Sequence, residues 1–264
     1  MPEPSTTSWQ HGLRFAFGTL TVLPVPVTRW DRDAARGGML CAPLAGLVVG
    51  ACAALSGVVL LALGASALLA AVACVAVPAA LTRGLHLDGL ADTADGLGSA
   101  KPAEDALRIM KQSDIGPFGV ITLVLVLLAQ VAALAQAYGD SWARGVLATV
   151  VSATAARLAL TLAARAGVPA ARPEGLGAAV AGVVPVRAAA VTAVVVTGAA
   201  AAGGALVGAY DVIRATVAVL AALGVAELLL RHCVRRFGGV TGDVFGGLAE
   251  TAATVSLLVV SLGQ

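Results

Sequence analysis

Apolar residues run almost without interruption through seven segments of the chain, near positions 39–64, 65–82, 116–138, 145–166, 187–209, 211–230 and 244–262. None alternates with period two, and each comes close to the ~20 apolar residues that an α-helix needs to cross a bilayer. A backbone in lipid must satisfy its own hydrogen bonds, so the pattern predicts helices rather than open sheet. Only Gly64, Ala65 and Ser66 separate the first two segments, which predicts a tight hairpin or one re-entrant member. The stretch 13–27, "LRFAFGTLTVLPVPV", is short and broken by proline, and is expected to be interfacial or re-entrant. The fold class is therefore all-α: a polytopic transmembrane helical bundle of about seven spans, read as one integral membrane domain over 1–264.

The polar residues are distributed unevenly between the connections. With seven spans, one side receives the N-terminal arm and the polar segments 83–115, 165–187 and 231–243. That side holds every Lys and Arg except Arg144, Arg157 and Arg214, and the positive-inside rule places it in the cytoplasm. Composition agrees with a membrane protein: 59% of residues are hydrophobic and 12% charged, against about 25% charged in a soluble domain. A net charge of +2 without a basic stripe excludes a nucleic-acid binder. Cys41, Cys52, Cys74 and Cys233 are scattered with no metal-binding spacing. The N-terminus lacks the pattern of a cleaved signal peptide.

Four polar stretches carry candidate chemistry. In "GLHLDGLADTADG" (84–96), Asp88, Asp92 and Asp95 stand at i, i+4 and i+7, on one face of a helix. Like charges so placed repel unless a cation sits among them. Magnesium, which binds a few carboxylates together with substrate phosphates, suits such a face. His86 lies two residues earlier and can exchange a proton. The spacing alone also fits an exposed acidic turn at a helix end. In "RIMKQSDIGPFG" (108–119), Lys111 stands just before a helix entry at Gly116-Pro117, a combination suited to phosphate or to ordinary capping by Ser113 or Asp114. In "RRFGGVTGDVFGGLAE" (235–250), Asp243 and Glu250 share a helical face, and Glu250 lies two turns into an apolar segment. An acid at that depth needs a partner or water, and Glu227 and Arg157 are buried in the same way. The fourth stretch, "ARPEGLGAAVAG" (171–182), is a glycine-rich connection carrying Arg172 and Glu174.

Taken in order, "GLHLDGLADTADG", "IMKQSDIGPFG", "EGLG" and "GGVTGD" followed by Glu250 resemble the signature segments of the cobalamin (5′-phosphate) synthase, or adenosylcobinamide-GDP ribazoletransferase, family. "TVLPVP" (21–26) resembles that family's Thr-x-x-Pro-x-Pro segment, so the resemblance runs from about residue 15 to residue 255. Gln112 and Asp114 depart from the family pattern, which leaves Asp114 without an implied role. The resemblance implies a magnesium-dependent enzyme of the bacterial inner membrane with its site facing the cytoplasm. It would join adenosylcobinamide-GDP to α-ribazole or α-ribazole 5′-phosphate and release GMP. His86, Asp88, Asp92, Asp95, Lys111, Ser113, Gly116, Glu174, Thr241, Asp243 and Glu250 match the family segments.

On that basis Mg²⁺ is expected on Asp88 and Asp92, with Asp95 as a further ligand or supporting it. His86 or an aspartate is expected as base, and Arg83, Lys111 and Arg157 as phosphate contacts. Lateral association with other enzymes of nucleotide-loop assembly is a further expectation. The rival readings are a CDP-alcohol phosphotransferase, a membrane prenyltransferase and a transporter. The first lacks its Ala-Arg after Asp-Gly, the second a second acidic repeat. The third leaves the clustered acids without a task.

Overall fold

The computed structural model describes residues 8–262 as eleven helices. Among the described residues no extended strand forms, so the all-α expectation holds. All seven apolar segments appear as helices: α2 (Arg32–Ala62), α3 (Ala67–Leu81), α6 (Pro117–Asp140), α7 (Trp142–Ala163), α9 (Val186–Ala205), α10 (Ala209–Phe237) and α11 (Gly242–Ser261). Six of these are long and apolar enough to cross a membrane. The seventh, α3, has 15 residues and reaches that length only together with α4 (Leu85–Gly98), from which it is bent by 89°.

The N-terminal expectation is corrected in its boundaries. The helix α1 spans Ser8–Leu20, starting before the apolar stretch and ending ahead of Pro24, and residues 24–30 are irregular. It packs on the start of α2 instead of entering the bundle. Phe15 is buried there, edge-on to Trp30 with ring centroids 5.4 Å apart.

The helices start where side chains take up their free amide groups. Asp31, Ser66, Ser141 and Thr241 accept hydrogen bonds from the first turns of α2, α3, α7 and α11. Small residues then let the helices approach closely, which is how bundles hold together where lipid removes most of the hydrophobic drive. Gly46 and Gly50 of α2 lie directly on α7. A Cβ at Gly46 would stand 2.5 Å from the carbonyl oxygen of Ala153, and one at Gly50 2.9 Å from the Ala153 Cβ. The helices α7 and α11 are the most enclosed of the long six. The outer faces of α2, α6 and α9 expose Leu44, Leu55, Leu125, Leu128, Val194 and Val195, as a lipid-facing surface requires.

The chain order puts the ends of the bundle in register. The short helices α4, α5 (Ala103–Ile109) and α8 (Leu176–Val180), together with α1, gather at the end where α3, α7 and α10 finish and α6, α9 and α11 begin. Trp9 and Trp30 are exposed at this end, and Trp142 and Tyr210 at the other. Aromatic side chains exposed at both ends match the two belts of a membrane-spanning protein.

Candidate active site

The site begins at the elbow between α3 and α4. Arg83 and Gly84 are consecutive left-handed residues, with φ of 55° and 69°, and they turn the chain away from the α3 axis. Glycine tolerates that conformation, whereas Arg83 adopts it at a cost of about 1–2 kcal/mol. The bend brings α4 against α11. At the contact two glycines face each other: a Cβ on Gly89 would be 2.6 Å from the Asp243 carbonyl oxygen, and one on Gly246 2.9 Å from that of His86. The close approach brings Asp88 and Asp92 beside Asp243. Asp92 feels the charges of Asp88, Asp243 and Asp95, and Arg172 is the cation that acts on it among the described residues.

Arg172 is delivered by the connection between α7 and α9. Backbone bonds from Ala171 to the carbonyl of Val240 and from Val240 to that of Pro169 stitch this connection to the α10–α11 turn. Arg172 then lies 3.6 Å from the Asp243 carboxylate and also donates to the carbonyl of Leu107. Thr241 caps α11 through the Val244 amide, and its hydroxyl lies 3.1 Å from Asp243. Sequence reasoning treated Arg172 as part of a plain loop; its one readable signal was a cation beside the Glu174–Gly175 turn.

Asp88, Arg172, Thr241 and Asp243 rim a cavity of ≈ 320 Å³ lined from α1, α2, α4, α7, α8 and α11, and Asp92 lies outside its lining. His86, Asp88, Glu174, Thr241 and Asp243, all expected in the site, line it. His86 is buried and its Nδ1 has no partner among the described residues. The apolar lining from Leu20, Met39, Leu160, Val180 and Phe245 was not anticipated. These residues read as ordinary core positions of helices far apart in sequence.

Other expected residues lie elsewhere. Asp95 acts on Asp92 through its charge, but its carboxylate is engaged away from the cavity. It is buried and accepts from the amides of Gly116 (2.8 Å) and Gly119 (2.9 Å), capping α6 from another helix. Seven residues carry it about 10 Å along α4 from Asp88, to where α6 begins. The α6 N-terminus, expected to hold phosphate with Lys111, is thus already occupied by a carboxylate. Lys111 and Ser113 are exposed in the turn before it and, like Arg83 and Gly116, do not line the cavity.

Arg157 and Glu250 are also separated from it. They lie inside the bundle against a cavity of ≈ 50 Å³ that shares no lining residue with the larger one. There Gln130 donates to Glu250 and to the Thr254 hydroxyl, both at 3.0 Å, and the Arg157 and Glu250 charges act on each other. A space of that size admits one or two waters and no nucleotide. Glu227, another expected partner, pairs instead with Arg165 (2.8 Å) and Arg231 (2.7 Å).

Among the described residues no three His, Cys, Asp or Glu side chains are arranged to enclose an ion on their own. The oxygens of Asp88, Asp92 and Asp243 suit a hard cation whose shell is completed by phosphate and water, as is usual for Mg²⁺. The donor set fits a metal that arrives with a phosphorylated substrate.

A helical bundle of the membrane type, with an acid-rimmed cavity open at one polar end, has the architecture of a membrane-embedded enzyme acting on a charged substrate. Residues 12–261 match the family model for cobalamin-5-phosphate synthase, and the chain belongs to that family. It is 45% identical to an adenosylcobinamide-GDP ribazoletransferase of Frankia casuarinae, the alignment covering 94% of each chain. It is 42% identical to one of Nocardioides sp. over 93% of this chain and 96% of the relative, and 39% identical to one of Bradyrhizobium diazoefficiens over 96% and 94%. No solved structure matches the chain.

Proposed function

We propose that the protein transfers the cobinamide phosphate group of adenosylcobinamide-GDP to a ribose hydroxyl of α-ribazole or its 5′-phosphate, with GMP leaving. The bond that forms joins the ribose oxygen to the phosphorus next to cobinamide. The bond that breaks joins that phosphorus to GMP, and the hydroxyl proton passes to the protein. The observation that carries this reading is the placement of Asp88 and Asp243 in the cavity lining, with Asp92 close enough to feel both charges. Family membership supplies the substrates.

Three acids close to one arginine would repel a diphosphate, so the arrangement makes chemical sense with Mg²⁺, which Asp88 and Asp92 would hold with support from Asp243. A bound Mg²⁺ offsets charge on the phosphates and on the departing GMP. Arg172 steadies Asp243 and presents a cation to the phosphate oxygens at the rim. The proton acceptor is drawn from Asp88 and Asp92. His86 is enclosed with the Arg157 charge acting on it and is a poor place for a second positive charge. It serves as a wall group that orients the nucleoside. The basic connections at this end support a cavity that opens to the cytoplasmic face of a bacterial inner membrane.

The test is GMP release by the purified protein in liposomes, given adenosylcobinamide-GDP and each ribazole, with and without Mg²⁺. Ribazole- and Mg²⁺-dependent release of GMP supports the reading. Metal-independent turnover removes the role given to Asp88 and Asp92, and no release with either ribazole removes the activity.

A further inference from the structure

The ≈ 320 Å³ cavity differs sharply between its mouth and its floor. Asp88 and Glu174 are exposed at the mouth, with Arg172 and Asp243 beside them. The floor is made by Leu20, Met39, Leu160, Val180 and Phe245, each no more than 7% exposed. The hydroxyls nearest the floor are already committed. Thr19 donates to the Phe15 carbonyl at 2.6 Å, and Thr241 is occupied by Asp243 and the Val244 amide.

We infer that the floor is the binding site for the aromatic base of the ribazole nucleoside, while guanine and the corrin remain outside the cavity. This assignment rests on the proposed activity. Dimethylbenzimidazole is a flat, mainly apolar bicycle with one free ring nitrogen, and its burial against aliphatic side chains is favourable. Guanine carries a ring amide N–H and its carbonyl, an amino group and further ring nitrogens. Of those groups the unpartnered Nδ1 of His86 could meet one at most, and burying the rest against aliphatic side chains would cost about 1–3 kcal/mol for each unmet group. A corrin is too large for the space. The nucleoside then enters base first and leaves its ribose at the mouth, between the acids and Arg172, where the transferred phosphorus must be met. Shape and apolarity of the floor become the source of selectivity for the base.

Val180 lies on the short helix α8 and faces the cavity, so Val180→Phe fills the floor without touching the acids. The expected result is a KM for α-ribazole raised about tenfold or more, from the size sensitivity of an apolar pocket, with the KM for adenosylcobinamide-GDP unchanged. A raised KM for adenosylcobinamide-GDP with that for ribazole unmoved would put guanine or corrin on the floor and overturn the inference. Equilibrium binding of free dimethylbenzimidazole and of guanosine to wild type and V180F gives a second readout that does not need turnover. The base should bind wild type and lose about tenfold in V180F, with no such difference for guanosine. Equal binding of the base to both proteins overturns the inference even if GMP release is normal. Absence of GMP release with base binding intact overturns the activity and leaves the subsite standing. Wild-type binding and a circular-dichroism spectrum matching that of V180F guard against misfolding, and Leu160→Met, a milder change of the same floor, should shift base binding in the same direction.

Discussion

The two polar ends of the bundle use the same residue types in opposite ways. At the end away from the cavity, Asp140 and Asp211 are set against Arg144 and Arg214, with contacts of 3.7, 3.4 and 3.8 Å, and Arg214 also stacks over the Tyr210 ring. Two acids meet two bases. At the cavity end the charges of Asp88, Asp92 and Asp243 act on one another, while Arg172 is set against Asp243 at 3.6 Å and acts on Asp92. The packing of Gly89 against Gly246 enforces that imbalance, since carboxylates do not approach one another unaided. Balanced charge marks a structural joint, whereas charge left unbalanced by close packing marks a place prepared for a ligand.

Neutralising one acid at each end is the most direct way to break this comparison. Asp92→Asn should lower turnover by on the order of 10²–10³-fold, the usual effect of removing a group that supports transition-state charge. Its melting temperature should stay level or rise, because a repulsion is relieved. Asp211→Asn should do the reverse. Turnover per folded molecule should hold, while stability falls by roughly 2 kcal/mol, a buried-pair figure reduced because Arg144 is partly exposed. Steady-state rates and thermal unfolding in one detergent check both. Equal loss of stability in the two variants would show that the acids at the cavity end are also a structural joint.

A smaller effect is expected at Asp95, and it sharpens the boundary of the site. Asp95→Ala removes the cap on α6 and should cost about 1–2 kcal/mol of stability. The Mg²⁺ concentration for half-maximal rate should not change, in contrast to Asp88→Asn, where it should rise. A Mg²⁺ titration of the two variants decides this. A large rise for Asp95→Ala would return Asp95 to the metal.

Asp95 also shows where sequence reading stops. Its spacing from Asp88 and Asp92 was visible, and all three do share a helical face. Nothing local indicates that α6, starting 22 residues later, arrives beneath the last of the three. The seven apolar segments were readable because lipid imposes length and composition directly. The elbow was only half readable: Gly84 advertises a turn, but the left-handed Arg83 does not. Arg157 and Glu250 were correctly marked as buried charges that need partners. Their assignment to a second, interior cavity depends on how α6, α7 and α11 meet, which no single segment encodes. The floor of the large cavity was hidden for the same reason, since Met39, Leu160 and Val180 look like any other core residues.

The smallest effect is expected where the sequence signal for phosphate looked good. Lys111 precedes a helix N-terminus, yet it is exposed in the turn at 110–116 and lies outside the cavity lining. The helix end it was to share is filled by Asp95. Lys111→Ala should therefore change kcat/KM for adenosylcobinamide-GDP by less than about threefold, the range of an exposed charge acting through solvent. Arg172→Ala, which removes the cation that meets Asp243, should exceed it by at least about tenfold. Measuring both at low and at physiological salt separates steering from contact, because a contribution from Lys111 through solvent fades as ionic strength rises. A salt-independent loss of thirtyfold or more in Lys111→Ala would mean that the turn folds over the rim when substrate is bound. The acidic end would then be balanced by two cations in the working complex, and its contrast with the far end would narrow to a property of the empty site.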